Sequence, residues 1–560
     1  MNQLMKKFLK PIPGVKIIYK LIKSIYPYRD YLLFRQELKN FSADFSKKII
    51  VDDLKERNLI LVCGNGMEII WIQLWLIIVF ICKENNYKIH AITSKKKYLQ
   101  NLYLKLSNIN LHFIEDINEI NLKDKNKLNE EIKKLNNFIS YKNFYYQSIP
   151  LGKMAISTYC RQNTTGILKL NDREQFEKTN DLIIYIMKAK FWMDSIIDDL
   201  QEPIALFTEV FMEEFGGLYY SSLLKDISII QFSGTEKDNA FNIRHLNSES
   251  DRTHITSMSS ANKKKYLNLE INKKIEEGID NNFKNRYSNK WFRASISWPN
   301  TINIGRNEAR RRLDINPNQK VAIIYSHILY DTLFFNGEDI YSSYAEWFVE
   351  SVKLACKNKD ILWFIKIHPS NLWRGELNDP NQLNGEYEEI RLIKENIHEL
   401  PKNIRIIYPD TIYSPLTWLK LTDYGITVRG TSGIELAALG KIVITAGTGR
   451  YETIGITKNP TNIYEYEQYM SGLQNLIQLE TNVLEKAKKF AYFTFCMKPF
   501  KLGFLKLIPK KGVSNSKHFV DMKFKLNFDN LSENDIEQIS KLVNWLPKKE
   551  EVNLLNDWPV

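Results

Sequence analysis

The stretch from Gly430 to Thr457, GTSGIELAALGKIVITAGTGRYETIGIT, joins a polar glycine opening, a helix-like block, an apolar strand and a second glycine loop. A glycine turn that feeds a helix presents free backbone N–H groups and the positive end of the helix dipole, which suits a phosphate. Gly430 and Gly433 flank the hydroxyl donors Thr431 and Ser432. Glu435 stands three residues past Ser432, about 4.5 Å along a helix axis. At that distance it could accept hydrogen bonds from ribose hydroxyls while a phosphate occupies the helix mouth. Ser432 to Glu435 also reads as a capping box, S-x-x-E, in which the glutamate only bonds the cap's own backbone. The spacing leaves both readings open.

Other polar groups fall where strands should end. His327 follows KVAIIYS, with Asp331 four residues on. Lys366, His368 and Pro369 close ILWFIKIHP, and Arg429 follows DYGITV. Gly449, Arg450 and Tyr451 follow KIVITAG. Ligands of an open parallel sheet bind beyond the carboxyl ends of its strands, so these loops should share one rim. Lys366 and His368 have the same strand parity and face one side. Cationic donors there would stabilise charge on a departing phosphate, and His368 is the candidate catalytic donor. Group transfer to a hydroxyl would also need a carboxylate as base or nucleophile. Glu209, at the end of PIALFTE, is the candidate, with an ordinary solvated glutamate as the plainer reading; Asp238 and His245 are rivals.

The elements that must position these groups are legible as alternating strands and helices. NLILV, a glycine turn, a long apolar helix and KIHAIT form a βαβ unit from Asn58, and INLHFI is a third strand. PIALFTE, a helix and ISIIQFSGT repeat the alternation. Five strands follow, at 320–326, 361–367, 404–409, 423–428 and 441–447, separated by helices. The expected fold is α/β, with two Rossmann-type doubly wound domains facing across a cleft, the GT-B arrangement. The expected division is a basic helical lead-in over 1–50, an acceptor domain with a helical insertion over 51–300, a nucleotide-sugar domain over 301–480 and a basic helical segment over 481–560. The polar stretch 234–295 reads as a loop followed by a helix next to the junction.

A chain of 560 residues exceeds a single core. The first residues lack the pattern of a cleavable signal. IIWIQLWLIIVFIC, from Ile69, is shorter than the roughly 20 residues a membrane span needs and contains Gln73, so it reads as a buried helix. Five scattered cysteines have no metal-ligand spacing and suit a reducing, cytoplasmic compartment. The formal charge of +13 is concentrated towards the ends. Six lysines and Arg29 precede the first acid, Asp30, and nine lysines lie between Glu485 and Asp521 among aromatic residues. Such segments suit either an anionic membrane surface or plain solvent. No nucleic-acid-binding signature is present, so nucleic acid is not an expected partner.

Taken together, KIHPSN at 366–371 and the run from Gly430 to Thr457 resemble the capsule polysaccharide biosynthesis family, which includes bacterial Kdo transferases. The likeness covers roughly 320–460, with fainter echoes in YYQSIPLGKMAISTYCR and FGGLYYSSLLKDISIIQFSG. It implies a GT-B glycosyltransferase using a nucleotide-activated sugar of the CMP-Kdo kind, with His368, Thr431, Ser432 and Glu435 in the nucleotide-binding motifs. The implied acceptor is a growing surface glycan or its lipid-linked base. The family implies no metal and no cofactor beyond the co-substrate. Arg450 departs from it, since an apolar or aromatic residue is usual there, and an added cation could signal a diphosphate donor. A polyol-phosphate transferase of the teichoic-acid type and a catalytically silent scaffold of the same fold are the alternatives.

Overall fold

The computed structural model describes residues 28–40, 55–64, 69–84, 86–169, 172–237, 239–248, 253–288, 291, 301–369, 387–476, 479–503, 505–509, 522–526 and 532–556. The strands are β1 (Arg57–Val62), β2 (Tyr87–Thr93), β3 (Asn110–Phe113), β4 (Pro203–Phe207), β5 (Ser228–Gly234), β6 (Ala240–His245) and β7 (Val321–Tyr325). They continue with β8 (Leu362–Lys366), β9 (Ile404–Ile407), β10 (Tyr424–Thr427), β11 (Ile442–Thr445), β12 (Phe500–Lys501), β13 (Leu505–Pro509) and β14 (Met522–Leu526).

Two sheets carry the molecule, and both are wound alike. The first runs β12-β6-β5-β4-β1-β2-β3 and the second β11-β10-β7-β8-β9. Reading outward from β1 and from β7, five strands of each follow the doubly wound order 3-2-1-4-5 in parallel, and β6 and β12 extend the first sheet antiparallel. Strands covered on both faces read as apolar runs rather than alternations. Accordingly, every residue of β1, β7, β8, β10 and β11 is buried. In β7, Ala322 and Ile324 face a core shared with the first domain, while Val321, Ile323 and Tyr325 face the outer core under the helix Thr431–Ala438.

The helix Ile69–Glu84 is buried as expected, with Gln73 donating to the Tyr103 hydroxyl at 3.3 Å. No helix among the described residues is long and apolar enough to cross a membrane. The helical insertion contains the 25-residue helix Arg173–Ile197, capped by Asp172, whose side chain accepts from the Glu174 and Gln175 amides. It packs against the helix Glu213–Leu224 so closely that a Cβ on Gly217 would lie 2.3 Å from the Ile186 carbonyl oxygen.

Two expectations are corrected. The tail beyond 480 is not all helical: β12 joins the first sheet antiparallel to β6, and β13 and β14 form a separate two-stranded ribbon. Its β-rich content was hidden because lysines alternate with apolar residues there and read as a basic face. The polar region after 234 contains β6 and two helices, Ser260–Leu267 and Lys273–Arg286. Tyr266, Ile275, Ile279 and Phe283 pack into the second domain's outer core, so the packing boundary comes before residue 260 rather than at 300. Conversely, the helix Glu533–Trp545 returns to the first domain's outer core through Ile539, Leu542 and Trp545.

Gly217→Val should lower the melting temperature, costing about 1–3 kcal/mol by overpacking. Gly305→Ser, at a helix start where a Cβ meets nothing within 4 Å, should leave it unchanged or raise it. Thermal unfolding of the two variants checks the pair.

Candidate active site

The carboxyl ends of β7 and β10 are neighbours at the point where the strand order reverses, the place where such sheets bind ligands. The helix Thr431–Ala438 starts there. Its cap is Gly430, which provides no side-chain cap hydrogen bond. The capping box read from Ser432 is therefore absent, because Ser432 already lies inside the helix. Gly430, Thr431 and Ser432 are partly exposed, whereas Gly433 onward is buried. Among the described residues the Ser432 hydroxyl takes no protein partner, while Thr431 Oγ1 accepts from Arg450 Nη2 at 2.8 Å. Tyr451 lies over Gly433 and donates its hydroxyl to the Gly430 carbonyl at 3.2 Å.

Glu435 is 3% exposed and turns into the protein. Its Oε1 accepts from Arg286 Nη1 at 2.9 Å and from the Tyr287 hydroxyl at 2.5 Å. Its Oε2 takes no protein partner among the described residues. Arg286 also reaches Glu236 Oε1 at 3.0 Å. Burial pushes Glu435 up, against the pull of Arg286 and Tyr287. Burial works the same way on Glu236, but there Arg286 prevails and holds the carboxyl below its usual range.

The two arginines of the rim serve different ends. Arg429, 2% exposed, is a strut. Nε donates to the Thr448 carbonyl at 2.7 Å, Nη1 to the Tyr344 hydroxyl at 2.6 Å, and Nη2 to the Glu338 carbonyl at 3.1 Å and to Asp339. It joins both glycine loops to the segment before the helix Tyr344–Lys357. Arg450 donates to the Arg429 carbonyl at 2.9 Å and to Thr431, and its buried Nε has no partner. Burial pushes its guanidinium down to about 10. Gly449 adopts φ +91°, and a Cβ there would lie 1.8 Å from the Asn336 carbonyl oxygen, so the loop can close on that segment only as glycine.

His327 is half-buried, and its Nε2 accepts from the Val428 and Arg429 amides at 3.2 and 3.3 Å. Burial, then Arg429 and His368, push it well below its ordinary value, so the ring is neutral. These bonds through Nε2 hold the turn that presents the helix mouth. His368 and Pro369 end the adjacent strand, and the His368 amide donates to Glu389 at 3.4 Å. Glu389 also accepts from the Ser326 hydroxyl at 2.8 Å and so links the ends of β7 and β8. Lys366 is 8% exposed and, by parity with Leu362 and Phe364, lies on the face of the helix Thr431–Ala438. It has no hydrogen-bond or carboxylate partner among the described residues, and burial pushes it down to about 8. Two strand spacings, about 10 Å, separate the backbones of β8 and β10, with His327 just past the end of the strand between.

Across the cleft, Glu209 follows β4. Its Oε1 accepts from the Val210 and Phe211 amides at 2.8 and 3.0 Å, and Oε2 pairs with Arg161 at 3.1 Å. Arg161 extends to Asp331 at 3.6 Å in the second domain, so Glu209 and Asp331 meet on one guanidinium. His245 is removed as a candidate: it is fully buried, lies tilted against Trp545 with ring centroids 4.1 Å apart, and is pushed down to about 4 by burial. Asp238 lies outside the described residues.

Residues that the sequence reading missed complete the rim. The His254 amide donates to the Gly449 carbonyl at 3.0 Å. Arg244 holds the Thr253 carbonyl at 2.8 Å, and Lys498 holds the Ile255 and Ser257 carbonyls. Burial pushes His254 and Lys498 well down; Arg450 and Arg244 act on both in the same direction, and Arg429 and Lys498 act on His254 too. The chain thus gathers buried cations from β6, from the tail and from both glycine loops. Only the lysine-rich character of the tail hinted at this.

No protein-family model and no curated protein matches this chain. Among solved structures it is similar to the β-Kdo 2,4 transferase of Thermosulfurimonas dismutans KpsC, at 12% identity and a TM-score of 0.31, over 60% of this chain and 86% of that one. A glycosyltransferase from Rickettsia africae matches at 12% identity and 0.27, over 79% and 93%. UDP-GlcNAc 2-epimerase from Neisseria meningitidis, bound to UDP-GlcNAc, matches at 12% identity and 0.23, over 78% and 99%.

Proposed function

We propose that this chain is a glycosyltransferase that moves a sugar from a nucleotide-activated donor of the CMP-Kdo kind to a growing bacterial surface polysaccharide or its lipid-linked base. The observation that carries the reading is the uncapped, accessible mouth of the helix Thr431–Ala438, on a rim with a buried lysine that lacks a carboxylate partner. The amides and hydroxyls of Thr431 and Ser432 hold the donor phosphate. Lys366 and His368 reach toward it from the end of β8, two strands away, and stabilise the charge that develops as the glycosidic bond breaks. Glu435 Oε2, fixed by the two bonds to Oε1, accepts from the ribose. Arg429, His327, Gly449 and Tyr451 act by positioning the loops, and Arg450 adds positive potential behind Thr431. Glu209 serves the acceptor hydroxyl or the sugar carbon from the facing domain.

Thermal-shift screening with CMP, CDP, UDP and GDP tests the donor. Stabilisation by CMP alone is expected; stabilisation by CDP would favour polyol-phosphate transfer, and no response a silent scaffold. The amine at Lys366 is cationic below about 8 in the free protein. CMP affinity should therefore fall about tenfold from pH 7 to pH 9 if the charge is required. Lys366→Met should weaken binding at pH 7 and flatten the profile, as titration calorimetry would show. Glu209→Gln should lower kcat by about 10²–10⁴-fold with CMP affinity unchanged.

A further inference from the structure

The first domain carries an apolar and basic surface that the donor site does not use. The helix at 28–40 docks through Tyr31, Phe34 and Leu38, with Tyr31 and Phe34 packing on Tyr103 at ring-centroid distances of 5.4 and 5.5 Å. Its outward side leaves Tyr28, Leu32 and Leu33 exposed at 53%, 43% and 49%. Tyr103 belongs to the helix Tyr98–Leu104, whose first residue is 77% exposed. Beside it, Lys95, Tyr98, Leu102, Lys105 and Phe113 line a groove of about 290 Å³, with Asn101 at its wall. Lys96 and Lys97 are exposed at its edge, and Arg29 and Arg35 on the neighbouring helix. Lys95 pairs with Asp116 and lies 5.5 Å from the Phe113 ring centroid. The acids Asp30 and Glu37 occupy half-buried positions between the two helices.

The segment entering the helix at 28–40 carries six lysines and no acid. The β13–β14 ribbon, with Lys506 paired in register with Lys525, runs beside the helix Ile69–Glu84, which itself packs on the helix Tyr98–Leu104. Exposed tyrosine and leucine within a field of lysine and arginine match the interface of an anionic bilayer, where aromatic rings sit at headgroup level and each cation adds attraction.

We infer that this face, formed by the helix at 28–40, the loop at 94–97 and the helix Tyr98–Leu104, docks the protein on a membrane bearing anionic lipid. The docked face adjoins the carboxyl end of β2 and so lies beside the rim that a lipid-linked acceptor must reach; that consequence, but not the docking, rests on the proposed transfer.

Co-sedimentation of the full chain with phosphatidylcholine vesicles, with and without phosphatidylglycerol, tests the inference. Binding is expected only to the phosphatidylglycerol vesicles. Lys96→Glu/Lys97→Glu/Lys105→Glu should weaken it more than about tenfold, and Tyr98→Ala should weaken it at constant charge. Lys125→Glu/Lys127→Glu/Lys359→Glu, the same charge change on other exposed surfaces, should leave it nearly unchanged. Equal binding to neutral vesicles, equal loss in the two triple variants, or release by soluble glycerol phosphate would overturn the proposal. The thermal response to CMP, measured on the same variants, reports the donor site separately.

Discussion

One guanidinium holds the two sheets in a fixed relation. Arg286, 6% exposed, stands between Glu236 on the turn after β5 and Glu435 inside the second domain's site helix. Glu435 cannot keep its charge out of water without it, and loss of one partner from that buried pair would cost about 3–5 kcal/mol, whereas the Glu236 side chain is partly exposed. The helix that carries Arg286 is therefore more than a connection. It sets the direction of Glu435, and with it the angle at which the helix mouth meets the first domain. Arg429 performs the corresponding task within the second domain, drawing the loops after β10 and β11 onto the segment at 338–344.

Beside these, an apolar core runs between the halves, with ion pairs such as Arg161–Asp331 and Lys153–Glu338 crossing as well. Phe211 stacks on Phe335 with centroids 5.0 Å apart, and Leu329, Phe334 and Tyr341 join the same core as Met154, Ile156 and Phe215. Thr332 and Phe334 adopt positive φ within this segment, an unfavourable conformation for non-glycine residues that persists only where surrounding packing enforces it. A joint with an aromatic stack at its centre and the Arg161 bridge at its edge is stiff near the cleft floor. Movement of one sheet against the other is then best accommodated at the far side, around the connections that cross between domains.

Much of this architecture was legible in the residues. All five strands of the second sheet, and β1 to β5 of the first, announce themselves as apolar runs ended by glycine or polar turns. The rim residues follow, because parallel strands must deliver their carboxyl ends to one edge. What the sequence withheld depends on distant partners. Glu435 looks like a solvent-facing cap until Arg286, 149 residues earlier, is brought beside it. Arg429 looks like a ligand donor until its N–H groups are found engaged with Tyr344, Thr448, Glu338 and Asp339. β6 and β12 went unseen for a different reason: FNIRHL and a two-residue strand carry little periodic signal, and their pairing closes over nearly half the chain.

That pairing has a consequence for how the molecule is made. Phe500 and Lys501 cover the edge of β6 at Phe241 and Ala240. Ribosomes add about 5–20 residues per second, so this edge emerges roughly 10–50 s before the strand that shields it. Throughout that interval the nascent first sheet offers open backbone groups to any extended peptide nearby. Slow translation or premature termination would thus prolong the exposure of an unpaired border on that half.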